Sequence, residues 1–471
     1  MGWKEDDRMA AETDEDVIAA LGTPLGYGAI GIVRLSGTGA IELADRIFKA
    51  RKKETMLGNA PDRVMLTGHI CSINGEIIDE VLAVAMKGPR SYTRQDVVEI
   101  HSHGGILAAS RILERVLQEG ARLADAGEFT KRAWINGRID LAQAEAVIDL
   151  IRARSVTGMS QAVKQLDGAL SELVKDLRQK LKRLMAGVEA SIDFPDEVSV
   201  QEEETLKGDL QLLKKKIEDL LETAKAGRIF REGLAVVLLG KPNSGKSTLL
   251  NRILGAERAL VTNVPGTTRD LIEEMVSIRG IPIQMIDTAG IREKAGIVEA
   301  LGIEKAKEAL DRADLVMAVF DATVAFETAD RMVLNLLENR RGLILLNKID
   351  AEGQMLDRKR LEKEAAGLKV LEISAQKGLG MKELEQALVA QVGAEHLAAA
   401  PAIINKLRHQ KLLEEAREAI GSALKTITTG GTLDCTAVDL WEAWTALGGL
   451  LGEEVSGEIV EEIFKEFCVG K

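Results

Sequence analysis

The chain has 471 residues, is 46% hydrophobic and carries a formal net charge of −12. This length allows roughly two to four domains, and the acidic balance argues against a protein that coats nucleic acid, without excluding a local basic patch. Three widely separated cysteines give neither a disulfide framework nor zinc-site spacing, which favours a reducing, cytoplasmic location. The acidic start is unlike a signal peptide, and no apolar run reaches transmembrane length, so no membrane association is expected.

Short β-rich runs dominate the first quarter of the chain. They lie at 29–35, 81–86 and 96–101, and a helix-like stretch follows at 106–119. The mixture predicts an N-terminal α/β domain, which we place at residues 1–128.

The next segment, residues 129–227, has the three- and four-residue apolar spacing of helices. One predicted long helix presents, on a single face, Leu166, Leu170, Leu173, Leu177, Leu181, Leu184 and Val188. Pro195 is expected to end it. A second predicted helix presents Leu206, Leu210, Leu213, Ile217 and Leu220. We interpret both faces as core packing.

Residues 228–395 alternate apolar runs with helix-like segments, which predicts a mostly parallel sheet covered on both faces. The predicted strands are 234–239, 281–286, 315–320, 343–346 and 370–373. Residues 396–471 are again helical. The α/β segment is therefore predicted to be inserted into a helical domain formed by both flanks.

The segment from Gly240 to Ser247 reads Gly-Lys-Pro-Asn-Ser-Gly-Lys-Ser, between a predicted strand and a predicted helix. This pattern in this context is typical of a phosphate-binding loop. Its backbone N–H groups can surround phosphate oxygens, Lys246 supplies charge, and the Ser247 hydroxyl can ligate Mg²⁺. The loop residues assigned to the nucleotide are Asn243, Ser244, Gly245, Lys246, Ser247 and Thr248.

A second motif, Asp287-Thr288-Ala289-Gly290, follows the predicted strand 281–286. The carboxylate of Asp287 at the end of a strand can hold the Mg²⁺ shell through water. The Gly290 N–H can meet the γ-phosphate. This motif therefore predicts a site for a triphosphate with its metal ion.

A third motif selects the base. Asn347-Lys348-Ile349-Asp350 places a carboxylate where it can accept both hydrogen bonds from the N1–H and amino group of guanine, which adenine does not offer. Ser374 and Ala375 follow the next predicted strand and are expected to close over the base. The series of motifs predicts GTP.

Residues 266–270 read Gly-Thr-Thr-Arg-Asp, and Thr268 is expected to complete the Mg²⁺ shell when GTP orders this segment. Ile291 stands where many GTPases use a glutamine to orient the attacking water, so another polar group must serve. The polar candidates that follow are Arg292, Glu293, Lys294 and Glu299. Arg269 and Arg292 are equally interpretable as arginine fingers or as surface residues.

Further signatures lie outside the nucleotide motifs, at 23–37, 91–93 with 96–101, 127–133, 140–147 and 467–471. Together with the inserted GTPase segment, they make nearly the whole chain resemble the tRNA-modifying GTPases of the MnmE (TrmE) type. The resemblance implies a tetrahydrofolate-binding-like N-terminal domain, a helical domain and an inserted Ras-like G domain. It implies a homodimer that forms a heterotetramer or larger assembly with an FAD-dependent MnmG (GidA)-type partner. The implied reaction installs an aminomethyl or carboxymethylaminomethyl group at C5 of the wobble uridine of certain tRNAs.

The resemblance also implies roles for individual residues in GTP hydrolysis. K⁺ would be bound by Asn243, Thr262, Val264 and Thr267, and Glu299 would orient the attacking water. Thr262 and Thr267 would also lie at the nucleotide. G-domain dimerisation would then be the activating event.

A folate, 5-formyl- or methylene-tetrahydrofolate, is the implied one-carbon donor. Its implied ligands are Arg34, Glu99, Arg138 and Lys471, with Arg138 standing where relatives can carry lysine. Cys468 is implied beside the folate as a nucleophile or redox-sensitive group; the alternative is a buried, inert thiol. The chain departs from the common family pattern at Arg94-Gln95, where Gly-Glu is frequent, and at Ala126, where proline is frequent.

Two alternative functions, and the role of one group of basic residues, stay open on sequence alone. The motifs also suit a regulatory GTPase switch or a ribosome-assembly GTPase, although the terminal signatures favour the tRNA-modifying family. A basic stretch, which either contacts tRNA or is a solvated helix face, comprises Lys131, Arg132, Arg138, Arg152 and Arg154.

Overall fold

The computed structural model describes residues 16–52, 55–193, 200–256, 273–286, 309–356, 358–365, 367–393, 400, 402–453 and 455–471. The chain divides into two compact units. One is formed by the chain up to Ile148 together with Leu451–Lys471, and the other by Asp149–Leu450. The four domain boundaries drawn from the sequence stay a prediction.

The described residues form an N-terminal group of mostly strands, a run of helices, an alternating α/β segment and a final run of helices. The strands are β1 (Ile18–Leu21), β2 (Ile30–Ser36), β3 (Phe48–Ala50), β4 (Met65–Cys71), β5 (Ile77–Met86), β6 (Val97–His103), β7 (Arg122–Leu123), β8 (Leu234–Leu239), β9 (Glu273–Ile278), β10 (Ile281–Ile286), β11 (Leu315–Asp321), β12 (Gly342–Asn347) and β13 (Lys369–Glu372). The helices are α1 (Ala40–Ile47), α2 (Ile106–Gln118), α3 (Glu128–Ile135), α4 (Leu141–Ile151), α5 (Val156–Leu166), α6 (Ala169–Asp193), α7 (Val200–Glu222), α8 (Ala224–Glu232), α9 (Lys246–Ala256), α10 (Thr328–Asn335), α11 (Arg358–Glu364), α12 (Met381–Val392), α13 (Leu407–Thr428), α14 (Leu433–Leu451) and α15 (Gly457–Lys465).

The first unit contains a seven-stranded sheet in the order β3-β4-β5-β6-β2-β1-β7. Neighbouring strands are antiparallel except for β1 and β7, which are parallel. Apolar residues of α1 and α2 pack on one face of this sheet, where they form a buried core with alternate strand residues. The predicted α/β domain is confirmed: β2, β5, β6 and α2 coincide with four of the predicted runs.

The end of the chain packs in the same unit. Phe464 of α15 and Phe467, which follows it, join a buried cluster with Ala133 of α3 and Leu141 of α4. The rings of Phe464 and Phe467 lie 5.2 Å apart. This aromatic packing brings the C-terminal residues to the sheet although they are remote from it in sequence.

A buried ionic network fixes the start of α3. Arg132 is 2% exposed, and its guanidinium donates to Glu128 at 2.9 Å and to Asp16. Arg122 donates to the same Glu128 carboxylate at 2.6 Å. Burial by itself raises the pKa of Glu128, but hydrogen bonds from Arg122, the Asp125 N–H and Arg132 outweigh it and hold the pKa below its usual 4.5. The carboxylate therefore stays charged inside the fold.

The second unit contains a six-stranded sheet in the order β13-β12-β11-β8-β10-β9. All neighbours are parallel except β9 and β10. The mostly parallel sheet and its five predicted strands are confirmed. The sequence pattern missed β9, which forms a tight hairpin with β10 over Arg279 and Gly280, whose φ values are +50° and +81°.

The helical pattern needs one correction. The single long helix predicted from Leu166 onward is wrong, because α5 ends at Leu166 and α6 begins at Ala169. Gly168 between them has φ +95°, which cannot continue a helix. Helix α7 is confirmed, and α13 packs along it, so the helical segments on either side of the nucleotide-motif sheet form one layer. Pro195 lies outside the described residues.

The ionic network around Glu128 predicts an acid-sensitive stability. Replacing Glu128→Gln removes the charge that Arg132 and Arg122 share, and we expect the free energy of unfolding to fall by about 3 kcal/mol at pH 7. Because the pKa values of Glu128 and Asp16 are both lowered by folding, their contribution is complete above pH 4.5 and is lost as the pH falls below it. Urea unfolding at pH 7 and at pH 4 measures both effects.

The matched control is Glu80→Gln, whose carboxylate forms an exposed pair with Arg51 at 3.8 Å. We expect less than about 0.5 kcal/mol for it. Equal unfolding midpoints of the Glu128 and Glu80 variants at pH 7 would contradict the structural role of the network.

Candidate functional site

The phosphate-binding loop lies between β8 and α9, as the sequence predicted. Asn243 within it has φ +63°, a backbone conformation that asparagine tolerates better than most residues. The Lys246 Nζ donates to the carbonyl oxygens of Gly240 at 2.9 Å and Lys241 at 2.7 Å. The ammonium group therefore lies at the loop, where it can meet a phosphate.

Asn347 joins the phosphate loop to the guanine motifs. Its Nδ2 donates to the Ser244 carbonyl at 2.9 Å, and its Oδ1 accepts from the Ala375 N–H at 3.0 Å. A Cβ on Gly245 would lie 2.1 Å from Nδ2, so only glycine permits this approach. Asn347 is 2% exposed, and it holds the ends of β8, β12 and β13 in one arrangement.

In the base-selecting motif, Lys348 forms an ion pair with Asp321, while Asp350 is exposed to solvent. Lys348 has φ +65° and its Nζ lies 2.5 Å from Asp321 Oδ2. Burial by itself raises the pKa of Asp321, but the hydrogen bonds from Lys348 and Thr323 outweigh this effect and hold the pKa below its usual 3.8. The carboxylate is therefore charged. Asp350, two residues after Lys348, is exposed and accessible to a base.

Ser374 is buried, and its hydroxyl accepts a hydrogen bond from the Lys377 N–H at 2.9 Å. It therefore shapes its own loop, while the Ala375 backbone makes the link to Asn347. A second contact, from Arg252 Nε to the Ala375 carbonyl at 3.0 Å, ties this loop to α9.

The hydroxyl-bearing residues of the loop have different environments. Ser247 and Thr248 are exposed at the start of α9, so the Ser247 hydroxyl is accessible to Mg²⁺. The Ser244 hydroxyl is buried without a hydrogen-bond partner. The remaining assigned residues lie outside the described residues: Thr262, Val264, Thr267, Thr268, Asp287, Thr288, Ala289, Gly290 and Glu299.

A second polar site lies on β2 and β6 of the first unit. Arg34 donates to one Glu99 oxygen through Nε at 2.9 Å and Nη2 at 2.8 Å, while the other oxygen is 3.2 Å from His101 Nε2. Burial raises the pKa of Glu99, but the hydrogen bond and charge of Arg34 outweigh it and keep the pKa below 4.5. The Arg34 guanidinium also lies 5.8 Å from the centre of the Phe129 ring.

The C-terminal residues complete this site. Arg34 Nη1 donates to the Gly470 carbonyl at 3.3 Å, so Lys471 follows a residue that is held against the Arg34–Glu99 pair. Gly470 has φ +95°, and a Cβ there would lie 2.2 Å from the Leu21 carbonyl oxygen. Cys468 is exposed, so the buried-thiol alternative is wrong.

Arg138 contacts a different part of the unit. Its guanidinium lies 4.7 Å above the Tyr92 ring, and both residues line a cavity of about 460 Å³. Arg94 also lines this cavity. Its φ is +62°, a backbone conformation that favours glycine, the residue that is frequent at this position in the family.

Sequence reasoning missed His101, Phe129 and Tyr92 as neighbours of the assigned residues. His101 carried a usable signal, since it lies two residues after Glu99 on a strand and therefore on the same face. Of the predicted basic stretch, Arg132 is buried in the ionic network, so neither a tRNA contact nor a solvated face describes it.

The described part of the chain holds no group of three or more His, Cys, Asp or Glu side chains arranged to bind a metal ion. No helix within it has the length and apolar character needed to cross a membrane.

Two family models match successive parts of the chain. Residues 17–138 match the family model described as the GTP-binding protein TrmE N-terminus, and residues 141–468 match the MnmE helical domain. A tRNA modification GTPase MnmE from Geobacillus kaustophilus (strain HTA426) is 43% identical over 98% of this chain and 100% of its own length. One from Alkaliphilus metalliredigens (strain QYMF) is 45% identical over 97% and 99%, respectively.

The chain belongs to the MnmE family of tRNA modification GTPases. The resemblance drawn from the sequence is thereby confirmed, as is the prediction of a GTPase, and the alternatives of a plain switch or a ribosome-assembly GTPase are set aside. Among solved structures, the G domain of the T. maritima FeoB iron transporter is 29% identical over 34% of this chain and 98% of that chain, with a TM-score of 0.27.

The link through Asn347 predicts a strong effect on nucleotide affinity in this MnmE-family protein. Asn347→Ala leaves the Ser244 carbonyl and the Ala375 N–H without their buried partner, and each such loss costs about 1–3 kcal/mol. We expect GTP and GDP to bind at least about tenfold more weakly. Equilibrium binding of a fluorescent GDP analogue measures the change.

Asn335→Ala, at the exposed end of α10, is the matched control and should bind as the unchanged protein does. Equal affinities of the Asn347 and Asn335 variants would show that the loops are held by other contacts.

Proposed function

We propose that this protein is a K⁺-activated GTP hydrolase that modifies C5 of the wobble uridine of certain tRNAs, together with an FAD-dependent MnmG (GidA)-type partner. The added group is aminomethyl or carboxymethylaminomethyl, and a tetrahydrofolate donates the one-carbon unit. The observation that carries the proposal is the joining of the phosphate loop to the guanine-selecting loops through Asn347, in a chain that aligns with its relatives from end to end. The proposal includes a cytoplasmic homodimer in a heterotetramer or larger assembly, and the domain division at 128, 227 and 395.

The described loop fits Mg²⁺ and K⁺ by the chemistry of its donors. Ser247 offers an exposed hydroxyl to Mg²⁺, with Thr268 as its proposed second protein ligand. The exposed Asn243 side chain offers an amide oxygen to K⁺, with oxygen atoms of Thr262, Val264 and Thr267 as the proposed remainder. K⁺ bound there supplies positive charge beside the phosphates, the contribution that an arginine finger makes elsewhere.

The other proposed roles in hydrolysis belong to the chain's own side chains. Lys246 holds the phosphates, Asp287 and Gly290 approach the metal shell and the γ-phosphate, and Asp350 selects guanine. Glu299 orients the attacking water, because Ile291 offers no polar atom for that purpose.

The K⁺ proposal predicts a cation-dependent rate. We expect GTP hydrolysis to be at least about tenfold faster in KCl than in NaCl at matched ionic strength, because the transition state gains charge near the bound ion. Asn243→Gly should remove most of the difference, since glycine keeps the φ of +63° while the amide oxygen is lost.

Asn339→Gly provides the control, because Asn339 is exposed and has φ +60° outside the loop. It should retain the full K⁺ stimulation. Equal rates in the two salts for the unchanged protein would remove the K⁺ role and leave a GTPase that needs another activator.

The folate proposal is supported by the groups that meet at the Arg34–Glu99 pair. Glu99 is a charged carboxylate, 18% exposed, that can accept the N–H groups of a pterin amino-pyrimidine edge. Arg34 and Lys471 bring positive charge to the same place, and exposed Cys468 lies three residues before the end of the chain. We propose that these residues bind the pterin, that Arg138 meets its glutamate end, and that Cys468 lies beside the bound folate.

Glu99→Gln tests this site. The amide keeps the shape of the carboxylate but loses the charge and one acceptor oxygen, so we expect 5-formyl-tetrahydrofolate to bind at least about tenfold more weakly. Isothermal titration calorimetry on the full-length protein measures the affinity. Glu76→Gln, on an exposed turn of the same unit, is the matched control; folate affinity that is the same in both variants would exclude Glu99 from the site.

A further inference from the structure

Four arginines face one concave surface of the first unit. Arg63, Arg90, Arg94 and Arg138 line the cavity of about 460 Å³ that also contains the Tyr92 ring, and we name this the arginine cleft. Asp62 approaches two of them, Arg90 at 3.4 Å and Arg63 at 4.0 Å. One carboxylate against four guanidinium groups leaves an excess of positive charge, in a chain whose overall charge is −12.

The loop that carries Arg94 is held by hydrogen bonds at both Arg94 and Thr93. Arg94 Nη1 donates to the Asn136 carbonyl at 2.9 Å, and the Asn136 side chain donates back to the Thr93 carbonyl at 2.7 Å. Thr93 is fully buried, and its hydroxyl lies 2.7 Å from that of Ser36. A guanidinium on a fixed loop loses little conformational freedom when it binds an anion.

Two of the cleft arginines also have uncommon backbone conformations. Arg63 and Arg94 both have φ +62°, which is costly for a residue with a long side chain. Asn243 and Lys348, in the nucleotide-binding loops, share this property. Arg279 and Asn339, on turns outside those loops, have positive φ values as well, so the conformation fixes the backbone at the cleft and does not by itself mark a ligand site.

The arginine cleft is connected to the Arg34–Glu99 pair by side-chain contacts. Tyr92, under Arg138, places its hydroxyl 2.9 Å from that of Thr130. The residue before Thr130 is Phe129, whose ring lies 5.8 Å from the Arg34 guanidinium. Phe129 and Thr130 are fully buried, so these contacts join the two places beneath the surface. Arg138, which we propose above to meet the glutamate end of the folate, itself lines the cleft, so glutamates added beyond that end would lie among its arginines.

We propose that the arginine cleft binds the γ-linked polyglutamate tail of a folate whose pterin lies at Glu99. This inference rests on the folate binding proposed above. Each added glutamate brings one further carboxylate, and guanidinium groups match carboxylates in shape and charge. Several exposed pairs, each weak, then add to a useful affinity on one connected ligand.

An RNA strand fits the cleft less well. Single-stranded RNA is held by stacking of bases on aromatic rings as well as by charge. The Tyr92 ring is covered by the guanidinium of Arg138, so its face is not open to a base.

The test compares 5-formyl-tetrahydrofolate carrying one glutamate with the same compound carrying five, each titrated into the full-length protein at low salt. We expect the pentaglutamate to bind about tenfold more tightly, with the advantage shrinking as salt is added. In the double variant Arg90→Gln/Arg94→Gly the ratio of the two affinities should fall to near 1. Glycine is used at position 94 because it accepts the φ of +62° without strain.

The ratio within each protein is the readout, so a general loss of affinity in a variant cancels. Arg51→Gln is the matched control, because Arg51 is exposed in the same unit and outside the cleft; it should keep the tenfold ratio.

Four results would overturn the inference in distinguishable ways. Monoglutamate binding with a ratio near 1 in the unchanged protein would leave the folate site standing and remove the tail site. A ratio unchanged by the double variant would place the tail elsewhere. Displacement of the pentaglutamate by an equal concentration of a short RNA oligonucleotide would assign the cleft to phosphates. Absence of binding by either folate would remove the folate proposal as well.

Discussion

The two hydrogen bonds of the Asn347 side chain hold together three loops that are far apart in sequence. Parallel strands end at the same edge of their sheet, so β8, β12 and β13 deliver their following loops to one place. The strand ends set where the loops begin but do not fix the distances between them. The buried amide fixes their spacing, because its donor is used by the Ser244 carbonyl and its acceptor by the Ala375 N–H. The absence of a side chain at Gly245 is the condition for this contact, since a Cβ there would lie only 2.1 Å from Nδ2.

A similar close approach organises the first unit. The Gly470 backbone passes so near to Leu21 that a side chain would not fit, and its carbonyl accepts a hydrogen bond from Arg34. The aromatic cluster of Phe464 and Phe467 supplies the apolar packing that brings the segment there. The final residue thus reaches a sheet formed by the beginning of the chain, and the Arg34–Glu99 site combines residues from both ends.

Much of the fold and of the nucleotide site could be predicted from sequence because those features depend on local backbone chemistry. The glycines, Lys246 and Asp350 stand at fixed spacings along strands and turns, so their arrangement follows once the strands are recognised. Other features depend on tertiary contacts that no spacing records. The break at Gly168 lies inside an uninterrupted leucine pattern, and the burial of Arg132 depends on Asp16, which comes from a distant segment, as well as on Glu128 of its own helix. The exposure of Cys468 likewise follows from how the C-terminal segment lies on the unit.

The location of Arg138 in the structure differs from the one that its proposed role suggests. We propose it as a folate ligand together with Arg34 and Glu99, yet its observed contact is the Tyr92 ring, in a cavity shared with Arg63, Arg90 and Arg94. The Arg34–Glu99 pair and the arginine cleft could both contact one folate. Its pterin end would be bound by the carboxylate of Glu99, and its glutamate end, which carries carboxylates, by the arginines of the cleft. A net negative charge disfavours the binding of anions, so four arginines brought together from three segments of the first unit provide a local exception. Recognition of the folate by charge would then depend on where the arginines are concentrated, and the net charge of the protein would not predict it.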